Sequence, residues 1–115
     1  MDPSNTTKIC NLGDIKDNNS IGLSTKINGA LKKLIVVRSG RNTFVYLNSC
    51  PHIGAPLDLR PGQFLSQNKD NIICSTHGAL FQIRTGLCIF GPCKDKYLKA
   101  IPICIEDNEI FYVPN

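Results

Sequence analysis

Charge is sparse in this chain. Only 19% of its 115 residues are Asp, Glu, Lys or Arg, and the basic excess leaves a formal charge of +4. The basic residues are scattered, with Lys32-Lys33 the one adjacent pair, whereas holding a nucleic-acid backbone takes a clustered cationic face. Nucleic acid is therefore not an expected partner. Long apolar runs are missing too: stretches such as Leu34 to Val37 fall far short of the roughly 20 residues a membrane helix requires, so no span is expected. Met1-Asp2-Pro3-Ser4-Asn5-Thr6 has neither a basic opening nor an apolar core, and no export signal is read there. The chain also lacks an internal repeat, a low-complexity tract, a Rossmann glycine motif and a helical pattern of ten residues. With 42% apolar residues it has no disordered character beyond residues 1–8, which are expected to fray. One domain over residues 1–115 is expected, since domains usually take roughly 100–200 residues. A core of that size is thin enough for a metal or cofactor to help hold it.

What is present reads almost entirely as strand. Ile9 to Leu12 opens the pattern, and a loop rich in Asn and Asp follows as far as Ser20. Ile21 to Ile27 and Leu31 to Arg38 flank Asn28-Gly29, the pair that supplies the positive φ angles of a tight type I′ hairpin. A second reversal at Ser39-Gly40-Arg41-Asn42 leads into Thr43 to Asn48, rich in strand formers. Short strands are expected over 71–74 and 80–84. The pattern then closes with alternating Ile101, Ile103 and Ile105, a turn at Asp107-Asn108, and Glu109 to Val113. Pro102 marks the 101–105 strand as an edge, because proline cannot donate to a sheet ladder. The fold expected is all-β: a small antiparallel sandwich or open barrel.

Residues 50–93 differ in composition. They hold nine of the chain's Gly and Pro residues, both His and four of the six Cys, as a site built on loops should. Without an export signal the setting expected is a reducing cytoplasm, where cysteines are metal ligands or thiols rather than a disulfide frame. Cys50-Pro51-His52 and Cys74-Ser75-Thr76-His77 repeat one layout, a Cys and a His two or three positions apart with a glycine close behind, Gly54 and Gly78. Two thiolates and two imidazoles make a four-donor set, and glycine lets each loop bring its backbone close to a common centre. Structural zinc accepts the same donors, although it usually groups its two Cys together and its two His together.

The paired motif, with Gly54-Ala55-Pro56-Leu57 after one half and Gly78-Ala79-Leu80-Phe81 after the other, resembles the Rieske iron–sulfur proteins over most of the chain, from Ile9 to Val113. Gly86-Leu87-Cys88-Ile89-Phe90-Gly91-Pro92-Cys93 is similar to the proline-containing loop that covers the cluster in that family. Twenty-one residues separate His52 from Cys74, a few more than is common there. A longer surface connection costs little closure entropy, and the excess is assigned to Phe64 to Asp70. The resemblance implies a cluster-binding subdomain at about 49–93 and a [2Fe-2S] cluster with Cys50 and Cys74 on one iron and His52 and His77 on the other. Such a site is near neutral when oxidised, where four thiolates would make it doubly negative. An electron is therefore added more easily, and Rieske potentials run from about −150 to +300 mV against roughly −400 mV for plant-type clusters. The Rieske subunits of respiratory complexes add two bridging cysteines and a serine that donates to a sulfide. The matching positions here are Ala55, Thr76 and Ala79, which implies a potential at the low end.

The function this implies is that of a soluble one-electron carrier, not an enzyme in itself, working between a flavin reductase and an acceptor such as an oxygenase. The alternatives are a small subunit of a reductase of the nitrite reductase type, or a zinc module. Both His are already committed as cluster ligands, which excludes a complete Rieske oxygenase with its second, mononuclear iron. Cys88 and Cys93 read as buried thiols or as a disulfide, and Cys10 and Cys104 as packing residues. Pro92 reads as a cluster shield or an ordinary turn. Lys94, Lys96 and Lys99, with Arg60, read as a docking rim or a solvated face.

Overall fold

The computed structural model describes residues 6–51, 56–57, 63–74 and 78–114. Among the described residues nine strands run in chain order: β1 Thr7–Asn11, β2 Asn19–Ile27, β3 Ala30–Ser39, β4 Asn42–Leu47, β5 Asn71–Ile73, β6 Leu80–Gln82, β7 Cys88–Phe90, β8 Ile103–Glu106 and β9 Glu109–Tyr112. One turn of 3-10 helix, Leu12–Asp14, is the only helix among the described residues. The strands form three antiparallel sheets, ordered β1-β9-β8, β2-β3-β4 and β5-β6-β7, none closed into a barrel. The expected all-β antiparallel class is the observed one.

The middle sheet organises the molecule. Leu34, Ile35, Val36 and Val37 of β3 are consecutive yet all at most 1% exposed. Successive strand side chains point to opposite faces, so a continuous apolar run needs cover on both sides. Leu34 and Val36 pack with Val45, Cys10, Ile110 and Tyr112, the core shared with β1-β9-β8. Ile35 and Val37 pack with Tyr46, Phe64, Ile72 and Phe81, the core shared with β5-β6-β7. One strand thereby joins a β base on one face to the cysteine-bearing unit on the other.

Local chemistry sets the turns. Asn28 and Gly29 take φ of 53° and 80°, as a type I′ turn requires, and Ile27 pairs with Ala30 across it. Strand β8 lies at a sheet edge, as Pro102 demands, but begins at Ile103 instead of Ile101. Ile101 instead donates its N–H to Val45 O at 2.9 Å, while Leu47 N–H donates to Lys99 O at 2.9 Å. Residues 99–101 thus run along β4 and tie the two cores together.

Two further expectations are corrected. Thr7 and Lys8, expected to fray, begin β1 because they pair with Tyr112 and Phe111 of β9. Cys88–Phe90, read as loop, is strand β7, held by pairing of Leu80 with Phe90 and Phe81 with Cys88. Three residues are too few for periodicity to declare a strand. Phe64 is fully buried, which confines the surface excursion to the turn over 66–71, closed by Ser66 N–H to Asn71 O at 2.8 Å.

Candidate metal centre

Cys50 and Cys74 arrive from two different elements. The chain leaves β4 through Asn48, whose N–H donates to Lys33 O at 2.9 Å and whose Oδ1 accepts the N–H of Leu57 at 2.8 Å. Asn48 therefore grips both ends of the first loop, and Leu57 beyond it is fully buried. Cys74 follows β5 directly. Its N–H donates to Ala79 O at 2.9 Å and its carbonyl accepts Gly78 N–H at 3.0 Å, a turn that closes the second loop at its base. Both cysteines are buried, 3% and 1% exposed, in one core with Phe64, Ile72 and Phe81. None of the six cysteines is in a disulfide. His52 and His77 lie outside the described residues, as do Gly54, Ala55, Arg60 and Thr76.

The proline loop lies against the second of these loops. Gly91 has φ of 104°, and a Cβ built there would sit 2.9 Å from Ala79 Cα and 3.0 Å from its Cβ. Only a residue without a side chain allows this approach. Cys88 and Cys93, 1% and 0% exposed, flank that contact with their sulfurs 3.1 Å apart. Cys93 Sγ donates to Cys88 Sγ, which donates in turn to Phe90 O at 3.3 Å. Burial, then the Cys88 sulfur and then that of Cys50, push the Cys93 thiol above the ordinary cysteine range. Pro92, Lys94, Lys96 and Lys99 are exposed, as are Phe90 at 62% and Tyr97 at 60%.

Tyr46 carries a role the sequence did not signal. Its hydroxyl, 3% exposed as a residue, donates to Ile83 O at 2.6 Å, fastening β4 to the turn after β6. Burial pushes its pKa up to about 12. Asn48 was likewise unmarked, because the partner it holds is nine positions along the chain and reached only by folding.

The donor chemistry fits an iron–sulfur cluster. Two buried thiols stand at the bases of two separate loops, and a third loop closes against one of them through a contact that admits no side chain. A family model describing the Rieske [2Fe-2S] domain matches residues 5–105. The chain belongs to the Rieske [2Fe-2S] domain family. Its cofactor is accordingly a Rieske-type [2Fe-2S] cluster.

Solved Rieske structures share the fold. The ferredoxin of carbazole 1,9a-dioxygenase from Nocardioides aromaticivorans IC177 superposes with a TM-score of 0.73 at 24% identity, over 96% of this chain and 98% of that one. The Sphingomonas yanoikuyae B1 ferredoxin gives 0.73 at 26% identity, over 96% and 100%. A chain from the complex of reduced oxygenase and oxidised ferredoxin in carbazole 1,9a-dioxygenase gives 0.72 at 23% identity, over 95% and 93%. No curated protein matches the chain in sequence. Like the Rieske ferredoxins, the protein is an electron-transfer protein and not an enzyme in its own right. No helix among the described residues is long and apolar enough to cross a membrane.

Proposed function

We propose that this Rieske protein is a one-electron carrier that takes electrons from a flavin reductase and delivers them to an oxygenase, with Cys50, Cys74, His52 and His77 as its cluster ligands. The observation that carries the reading is the pair of buried thiols at the bases of two loops, within a chain the Rieske family matches over residues 5–105. When bound, the cluster accepts and releases one electron at a time. Cys50 and Cys74 would bind as thiolates. Their burial against Phe64, Ile72 and Phe81 keeps water from the sulfur side, and a drier, less screened site strengthens every charge interaction within it. The imidazoles of His52 and His77 would bind through one ring nitrogen each, leaving the other free to exchange a proton.

The partner is a protein. Phe90, the last residue of β7, and Tyr97 stand exposed, with exposed Lys94 and Lys96 between them along the chain. Aromatic anchors inside a basic rim suit an acidic protein surface. The ferredoxin–oxygenase complex of the carbazole 1,9a-dioxygenase system supports an oxygenase as the acceptor. A reducing cytoplasm, where six thiols persist, suits this reading.

Electron paramagnetic resonance of the dithionite-reduced protein tests it. A rhombic signal of low average g is expected, and Cys50→Ser or His77→Ala should abolish it. A colourless protein that carries stoichiometric zinc after anaerobic preparation would overturn the reading. Co-purification as a fixed part of a larger reductase would replace the free carrier with a reductase subunit.

A further inference from the structure

The proposed ligand set leaves four cysteines unused, and two of these are neighbours. Cys93 Sγ lies 3.1 Å from Cys88 Sγ, and a disulfide needs about 2.05 Å, so roughly 1 Å of approach would join them. The backbone holds the pair in place. Cys88 N–H donates to Lys96 O at 2.8 Å, Asp95 N–H donates to Cys88 O at 3.0 Å, and Lys96 N–H donates to Cys93 O at 2.9 Å. Both cysteines are thus tied to Lys96, Cys88 to Asp95 as well, and Gly91 between them is pinned on Ala79. Their meeting is built into the turn. The pair is buried, while adjacent Phe90 and Ile89 are 62% and 40% exposed and Pro92 is exposed.

We infer that Cys88 and Cys93 form a second redox site, a dithiol that hydrogen peroxide converts to a disulfide. One of the two sulfurs, as its thiolate, attacks peroxide; the O–O bond breaks, leaving a sulfenic acid and a hydroxide that takes up the proton the thiol gave up, to become one water. The neighbouring thiol then attacks the sulfenic sulfur, closing the S–S bond and releasing a second water. Two thiols lose two electrons and two protons, and the peroxide gains both. Cys10 and Cys104 are not hydrogen-bonded to another sulfur among the described residues, so neither has a resolving thiol and both serve as internal controls. The choice of Cys88 over Cys50 as the partner of Cys93 rests on the proposed ligand set, because the Cys50 sulfur also lies against Cys93.

The test uses the full chain with its cluster, prepared anaerobically. It is treated with stepwise hydrogen peroxide, quenched in acid, and labelled with N-ethylmaleimide. Trypsin releases residues 85–94 as one peptide holding both cysteines. That peptide should become two mass units lighter and refuse label until dithiothreitol is added, as labels on the chain fall from six to four. In Cys93→Ser the same treatment should instead leave Cys88 as a sulfenic acid that dimedone captures. Oxidation of Cys104 while Cys88 and Cys93 still take label would overturn the inference, as would a disulfide that includes Cys50. The visible absorbance of the same sample reports on the cluster separately. A colourless preparation that still forms the 88–93 disulfide would support the dithiol site and count against the ligand assignment instead.

Discussion

Gly91→Ala is the sharpest single perturbation of the architecture around the cluster. The residue sits at φ of 104°, well outside the ordinary left-handed basin, and holding an L-residue there costs about 1–3 kcal/mol. The added methyl would also stand 2.9 Å from Ala79 Cα and 3.0 Å from Ala79 Cβ. A flexible side-chain tip could yield, but this is backbone in the turn that Cys74 N–H closes on Ala79 O. Overpacking of that kind adds about 1–3 kcal/mol, for about 2–6 kcal/mol in all. Gly40→Ala is the control. Its φ is 63° with nothing within 4 Å of the added Cβ, so it reads backbone strain alone, about 1–2 kcal/mol. Urea unfolding of the two variants under anaerobic conditions, at a slope of about 1–3 kcal/mol per molar, should give clearly separated midpoints. Bleaching of the visible absorbance in air should be faster only for Gly91→Ala, because only there is the proline loop levered from the second loop. Adding Ala79→Gly removes the methyl at 3.0 Å but not the Cα at 2.9 Å, so rescue should be partial. Equal losses for Gly91→Ala and Gly40→Ala would refute the close approach and the shielding argument with it.

Alkaline stability should fall between about pH 9 and 12: burial raises Cys10 from 9.0 to about 11, with Asp14 adding to it, and raises Tyr46 from 10.0 to about 12. Both groups hold their proton more tightly when folded, so the stabilisation is whole below the unfolded pKa and is lost as pH climbs through the folded one. Tyr46→Phe should remove the upper part of that limb in a pH series of unfolding midpoints, and should cost about 1–3 kcal/mol at neutral pH by orphaning Ile83 O; an unchanged limb would contradict the assignment. Voltammetry should place the cluster midpoint below zero and nearer −150 mV, and a value above about +150 mV would show that the missing bridge and serine do not set it. Lys94→Glu with Lys96→Glu should slow electron transfer to an acidic acceptor about tenfold or more at low salt and flatten its ionic-strength dependence. A wild-type rate already insensitive to salt would remove the basic rim from the docking face.

The hairpins were legible because their signals are local. Asn28-Gly29 sets its own φ angles, whatever the rest of the chain does. The doubled Cys and His motif was legible for the same reason, since each half needs only a few adjacent residues. Where interactions span the fold, the reading slipped. Strand β7 exists because Phe81 and Leu80 pair with Cys88 and Phe90, and Ile101 stays out of β8 while its N–H donates to Val45 O. Neither partner is visible from the segment itself.

The residues alone determined the strand-rich class, the donor types and the family likeness, since these follow from side-chain chemistry at short spacing. Tertiary structure alone decided which face of β3 meets which core, that Asn48 clasps the first loop and Tyr46 fastens β4 to Ile83, and that Cys88 and Cys93 meet. Those are contacts between distant or oppositely directed segments. Their energy depends on positions in space that only the closed chain supplies.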